Sequence, residues 1–126
     1  MEHIVKNWIK QAAADLDSAQ YNAKGKKYDV AAFLCQQSVE KALKGLYLQE
    51  KKELWKTHDL VRLASLLEAP QGIIGICNEL NPIYFEERYP DFSDTIPAEK
   101  FNKEEIDDFL EKAKEVLEWI KTKIRS

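Results

Sequence analysis

Histidine, cysteine, glycine and proline are scarce in this chain, at two, two, four and four in 126 residues. Each shortage excludes something. Cys35 and Cys77 stand apart in apolar helical sequence, without metal-ligand or redox-motif spacing, and read as reduced core residues. Neither His3 nor His58 follows a glutamate by three positions, so a di-metal carboxylate bundle is excluded. The glycines form no phosphate-cradling loop. No run approaches the roughly 18–20 apolar residues of a membrane span, and no apolar leader core follows Met1. A cytoplasmic protein with no membrane association is therefore expected. Charge of one sign is lacking too. Nineteen basic against 22 acidic residues give a net charge of −3 and a pI near 5.5, whereas a basic nucleic-acid coat has a pI above about 9. No cofactor and no metal site are expected.

With 44% hydrophobic residues the chain can bury a core without staples, and 126 residues fit one domain, 1–126. Apolar positions recur every three or four residues from about His3 to Lys24 (Ile4, Val5, Trp8, Ile9, Ala12, Leu16, Ala19, Ala23), which is one helical stripe. Gly25 is expected to supply the left-handed residue at its end. Asp29 is expected to cap a second helix running to about Lys51, with Tyr28 and Phe33 as its staple. Thr57 or Asp59 can cap a short helix bearing Leu60, Leu63, Ala64 and Leu67. Ile73–Asn81 reads as another short helix, stopped by Pro82. Residues 85–101 show no periodicity, yet five aromatics in or beside them (Tyr84, Phe85, Tyr89, Phe92, Phe101) need a surface to cover. Asn102 to Glu105 opens the last helix in the manner of a capping box, with Phe101 and Ile106 as its staple. That helix has a regular stripe from Ile106 to Ile124. The expected fold is all-α, an antiparallel up-and-down bundle of three long and two shorter helices.

The balance near neutrality hides an asymmetry. Up to Arg62 there are 11 basic and 8 acidic residues; from Leu63 onward there are 8 basic and 14 acidic. The basic excess reads either as solvated helix faces, with spaced pairs such as Glu40 and Lys44, or as a local anion-binding face. Three clusters carry possible chemistry. In Gln36-Gln37-Ser38-Val39-Glu40-Lys41-Ala42-Leu43-Lys44, helical spacing puts Gln37, Lys41 and Lys44 on one face. In Lys56-Thr57-His58-Asp59-Leu60 a histidine sits at a helix mouth, either as an acid or base or simply packed beside the cap. In Glu87-Arg88-Tyr89-Pro90-Asp91 a guanidinium stands between acids, either to clamp a phosphate or to tie the loop to the bundle.

Taken together and in this order, these segments resemble the HEPN family (higher eukaryotes and prokaryotes nucleotide-binding domains). The resemblance rests on the tryptophan helix with Ala14-Asp15-Leu16 and Ala19, on Phe33 through Lys44, on Thr57-His58-Asp59-Leu60 and on Arg88-Tyr89-Pro90. It covers nearly the whole chain. It implies a homodimer whose facing bundles frame a cleft, paired with a minimal nucleotidyltransferase as toxin and antitoxin. Many members of the wider superfamily are metal-independent endoribonucleases in which the arginine is followed, after four to six residues, by a histidine. Here Arg88 is followed by Tyr89, Pro90, Asp91, Phe92, Ser93, Asp94 and Thr95, with no histidine. The expectation is a binding module for a nucleotide, RNA or a partner protein, its cleft lined by Lys41, Lys44, His58, Arg88 and Tyr89. One alternative is an endoribonuclease using Arg88 with His58. Another is a histidine phosphotransfer bundle, which expects its histidine exposed in mid-helix.

Overall fold

Three long amphipathic helices set the architecture: α1 (Glu2–Lys24), α2 (Tyr28–Lys51) and α7 (Lys103–Lys123). The structure, a computed structural model, describes residues 2–89 and 94–125. Between α2 and α7 the described residues form four short helices, α3 (Leu60–Leu66), α4 (Gln71–Leu80), α5 (Ile83–Arg88) and α6 (Pro97–Lys100). No strand forms among the described residues, and none of their helices is long and apolar enough to cross a membrane.

The stripes read from the sequence face the core, except for Ile4 at the start of α1, which is exposed. Ala12 and Ala19 of α1, Val39, Leu43 and Leu46 of α2, and Ile106, Ala113, Val116 and Ile120 of α7 form one core with Leu60, Leu63, Cys77 and Leu80. Small residues bring α1 and α2 close together. A Cβ on the buried Gly45 would lie 2.9 Å from Cδ1 of Ile9 and 3.0 Å from Cβ of Trp8. The Ser38 hydroxyl donates to the Ala12 carbonyl at 2.6 Å across the same contact. The Gln49 carboxamide donates to the Lys123 carbonyl at 2.9 Å and accepts from the Arg125 amide at 2.9 Å. The C-terminal ends of α2 and α7 therefore meet, and both helices run opposite to α1.

Helix ends follow backbone geometry more than residue type. The Lys27 amide donates to the Asn22 carbonyl at 2.8 Å and the Lys26 amide to the Ala23 carbonyl at 3.0 Å, a Schellman closure. It places Lys26 (φ 62°), rather than the expected Gly25, in the left-handed region. α2 starts one residue before Asp29, behind Lys27, which supplies no side-chain cap. Asp29 sits instead in the first turn, where a negative charge suits the dipole. Asp59 does cap α3, its Oδ1 accepting from the Arg62 amide at 3.2 Å. The Asn102–Glu105 capping box is complete, with bonds of 2.9 and 3.2 Å. Phe101 packs against the core and edge-on to Phe109, at 6.0 Å between centroids.

The stretch without periodicity is partly helical. Pro82 does not end the run: Asn81 is αR despite preceding a proline, and Pro82 leads directly into α5. The Asn81 side chain holds this conformation by accepting from the Leu60 amide at 2.8 Å and donating to Asp59 Oδ1 at 3.0 Å. Of the motif at this point, Arg88 and Tyr89 are described, while Pro90, Asp91, Phe92 and Ser93 lie outside the described residues.

Replacing Gly45 with leucine should push α1 off α2 and destabilise the domain by about 1–3 kcal/mol, read as a lower urea midpoint with an unchanged slope.

Candidate functional site

Glu40 is the hub. It sits in mid-α2, 5% exposed, where an ionised carboxylate needs compensation. The ladder of i and i+4 residues supplies part of it. Gln36, fully buried, donates to Glu40 Oε1 at 2.9 Å, and the Lys44 ammonium meets Oε2 at 2.9 Å. Gln37 extends the network by donating to Gln36 Oε1 at 2.7 Å. The remaining partner comes from the loop before α3, where His58 Nδ1 lies 3.0 Å from Oε2 and 3.2 Å from Oε1. A carboxylate only accepts, so Nδ1 carries the proton and Nε2 is the outward nitrogen, an acceptor in neutral imidazole and a donor in imidazolium.

The outer half of the site is built on α5. The His58 ring stacks on Tyr84, with 4.0 Å between centroids and 16° between planes. One turn on, the Arg88 guanidinium carbon lies 4.7 Å from the centre of the same ring. Phe85 meets Tyr84 edge-on at 5.3 Å and stacks with Tyr89 at 6.4 Å. The fold thus brings His58 and Arg88, 30 residues apart, onto one tyrosine. Among the described residues Arg88 has no carboxylate partner. Beside them an open groove of about 600 Å³ is lined by Lys56, Thr57, His58, Asn78, Asn81 and Phe85, among others.

The two lysines occupy inner positions. Lys44 is part of the Glu40 hub, and Lys41 pairs at 2.6 Å with Asp15 of α1, which also accepts from Gln11 at 2.8 Å. The hub role of Glu40 escaped the sequence reading, and Tyr84 was legible there only as one of five aromatics that need a surface to cover. The Gln36–Glu40–Lys44 spacing was a visible signal, but nothing local to it points to residue 58. Burial pushes the Cys35 and Cys77 thiols up to about 12, which leaves them inert as nucleophiles. His58 lies outside any helix, unlike the mid-helix histidine of a phosphotransfer bundle.

A second carboxylate adjoins the site. Glu87, next to Arg88, faces Asp29 of α2's first turn and is pushed up to about 7, by burial first and then by the charge and hydrogen bonding of Asp29. Its Oε2 is buried without a hydrogen-bond partner.

The HEPN domain model matches residues 5–123. Two solved structures share the fold over nearly the full length of both chains. An archaeal HEPN homologue, ST0689, is 36% identical with a TM-score of 0.83, over 96% of this chain and 98% of that one. TT1696 from Thermus thermophilus is 26% identical with a TM-score of 0.88, over 95% and 98%. No curated protein matches.

Glu40→Ala should cost about 3–5 kcal/mol, because it leaves the shielded Lys44 ammonium and Gln36 without their acceptor; chemical denaturation measures it. Glu87 binds its proton more tightly folded than unfolded, so its contribution to stability is present below its ordinary 4.5 and is lost as pH rises towards about 7. Glu87→Gln should flatten that part of the stability profile and be more stable than wild type at pH 8, as thermal melts across pH would show.

Proposed function

Because the chain belongs to the HEPN domain family, we propose that it is a binding module that holds the phosphate of a nucleotide or RNA at Arg88 and His58, without cleaving it. The observation that carries this reading is the shared tyrosine. Arg88 and His58 both lie against Tyr84, and the guanidinium has no carboxylate among the described residues to neutralise it. The guanidinium offers the charge-assisted donors that phosphate oxygens accept, with the His58 ring at the same surface point. Lys41 and Lys44 have their charge matched by Asp15 and Glu40, so they hold the fold beside the site and leave the direct contact to Arg88. Tyr89 extends the aromatic surface beside them.

The module acts as a homodimer with a minimal nucleotidyltransferase, in a toxin–antitoxin type pair, as the family resemblance implies. Exposed Phe85, Tyr89 and Ile96 offer apolar surface for a facing copy. Buried free thiols suit the reducing cytoplasm.

One observation favours a second reading, a metal-independent endoribonuclease. The Glu40–His58 pair has the form of a carboxylate orienting an imidazole, with Nε2 left to take a proton from a 2′-hydroxyl. Incubating the protein with single-stranded RNA in chelator separates the two. Cleavage that both His58→Ala and Arg88→Ala abolish supports the enzyme, and intact RNA supports the binding module.

Arg88→Ala should weaken nucleotide or RNA binding about tenfold, the loss of one charge-assisted contact, with unchanged circular dichroism and melting temperature. A variant that unfolds instead would make Arg88 a tether for its loop and remove it from the site.

A further inference from the structure

The chain has three arginines, and two of them are held on aromatic rings. Arg125 instead pairs loosely with Glu50, at 3.5 Å. Arg88 lies on Tyr84, and Arg62 of α3 lies on Trp55 with its guanidinium carbon 5.3 Å from the ring centre. A ring attracts a cation without neutralising it. Arg62 is exposed and has no ion pair among the described residues. Glu53, the acid of this cluster, accepts instead from the Tyr47 hydroxyl at 3.0 Å, and Tyr47 meets Trp55 edge-on at 5.7 Å. The ring under Arg62 is therefore braced, which lessens the freedom the guanidinium loses when it takes a ligand.

One short segment joins the two ring-borne cations. Trp55 and His58 are three residues apart, so their Cα atoms lie within about 11 Å of each other however the chain runs between them. His58 stacks on Tyr84 at one end, and Trp55 carries Arg62 at the other. Between them Lys56 lines the groove, with no ion pair among the described residues. Asp59, the acid beside this path, is committed to the fold, accepting from the Arg62 amide and from Asn81. We propose that Arg62 is a second phosphate contact, so that the ligand of the Arg88–His58 site, on which this inference rests, is a polynucleotide strand rather than a free nucleotide. The strand runs from Arg88 past His58 and Lys56 to Arg62. A single phosphate held at Arg88 leaves Arg62 unused, and a further phosphate along the same strand engages it. Positive tracks beside aromatic rings are the usual means of holding a single-stranded backbone.

Fluorescence anisotropy of the intact protein tests this, with dye-labelled hexauridylate and dye-labelled uridine monophosphate as probes. A hexamer is within the roughly 4–16 nucleotides that single-strand modules cover. Wild type should bind the hexamer at least about tenfold tighter than the monophosphate, the worth of one further charge-assisted contact. Arg62→Gln keeps a stem over Trp55 and removes the charge. It should weaken the hexamer about tenfold, lower the salt slope of hexamer binding by about 0.7, and leave the monophosphate and the circular dichroism unchanged. Arg88→Ala should weaken both probes. Arg125→Gln removes an equal charge elsewhere and should change neither. Equal binding of the two probes by wild type, a hexamer affinity that survives Arg62→Gln, or an equal loss in Arg125→Gln overturns the second contact and leaves the phosphate site standing. Binding of neither probe overturns both.

Discussion

A carboxylate buried in the middle of a helix has to be compensated from several sides, and the region of this domain around His58, Tyr84 and Arg88 is arranged around that need. Taking an ion out of water costs several kcal/mol even after relaxation, and the cost is recovered only when its oxygens are well bonded. α2 supplies two partners for Glu40 from its own surface, Gln36 and Lys44. The other is His58, so the segment after α2 is held back against the middle of that helix. Once His58 is fixed, its ring offers Tyr84 a face to stack on. Arg88, one turn further along α5, then comes to the surface over that tyrosine. The chain of dependence runs from a buried charge to a loop, to a short helix, and to a guanidinium.

The same constraint explains which cations are available. Lys44 is spent on the hub and Lys41 on Asp15, so two basic residues of the helix-two cluster hold the fold together. The guanidinium of Arg88 stands outside this pairing among the described residues, and a net charge of −3 for the chain says nothing about its local field. The archaeal HEPN homologue shares the fold over 96% of this chain, and the family match extends from α1 into the end of α7.

The long helices were legible because each repeats one signal many times, an apolar residue every three or four positions. The Asn102–Glu105 box and the Asp59 cap were legible because a short polar side chain at a helix mouth has few other uses. Single-residue signals failed where backbone closure decided the matter. The Schellman turn put Lys26 rather than Gly25 into the left-handed region, and α2 began ahead of Asp29. α5 was hidden because six residues are too few to show a period and because Pro82 reads as a stop; the bonds of Asn81 that carry the chain through are tertiary. For the site, His58 and Arg88 stood out as residue types. Their meeting on Tyr84 did not, since it depends on the link from Glu40 to His58, 18 residues away.

The most direct measurement of the central claim is nuclear magnetic resonance of side-chain nitrogens during titration with a short oligoribonucleotide. The account predicts that Arg88 Nε and the His58 ring nitrogens shift with one saturating isotherm. The indole N–H of Trp119 should stay in place; it lies beside a separate recess of about 430 Å³ lined in part by Leu46, Leu66 and Leu67. Movement of the Trp119 signal with Arg88 and His58 unchanged would contradict it, and would move the binding site to the C-terminal end of α2.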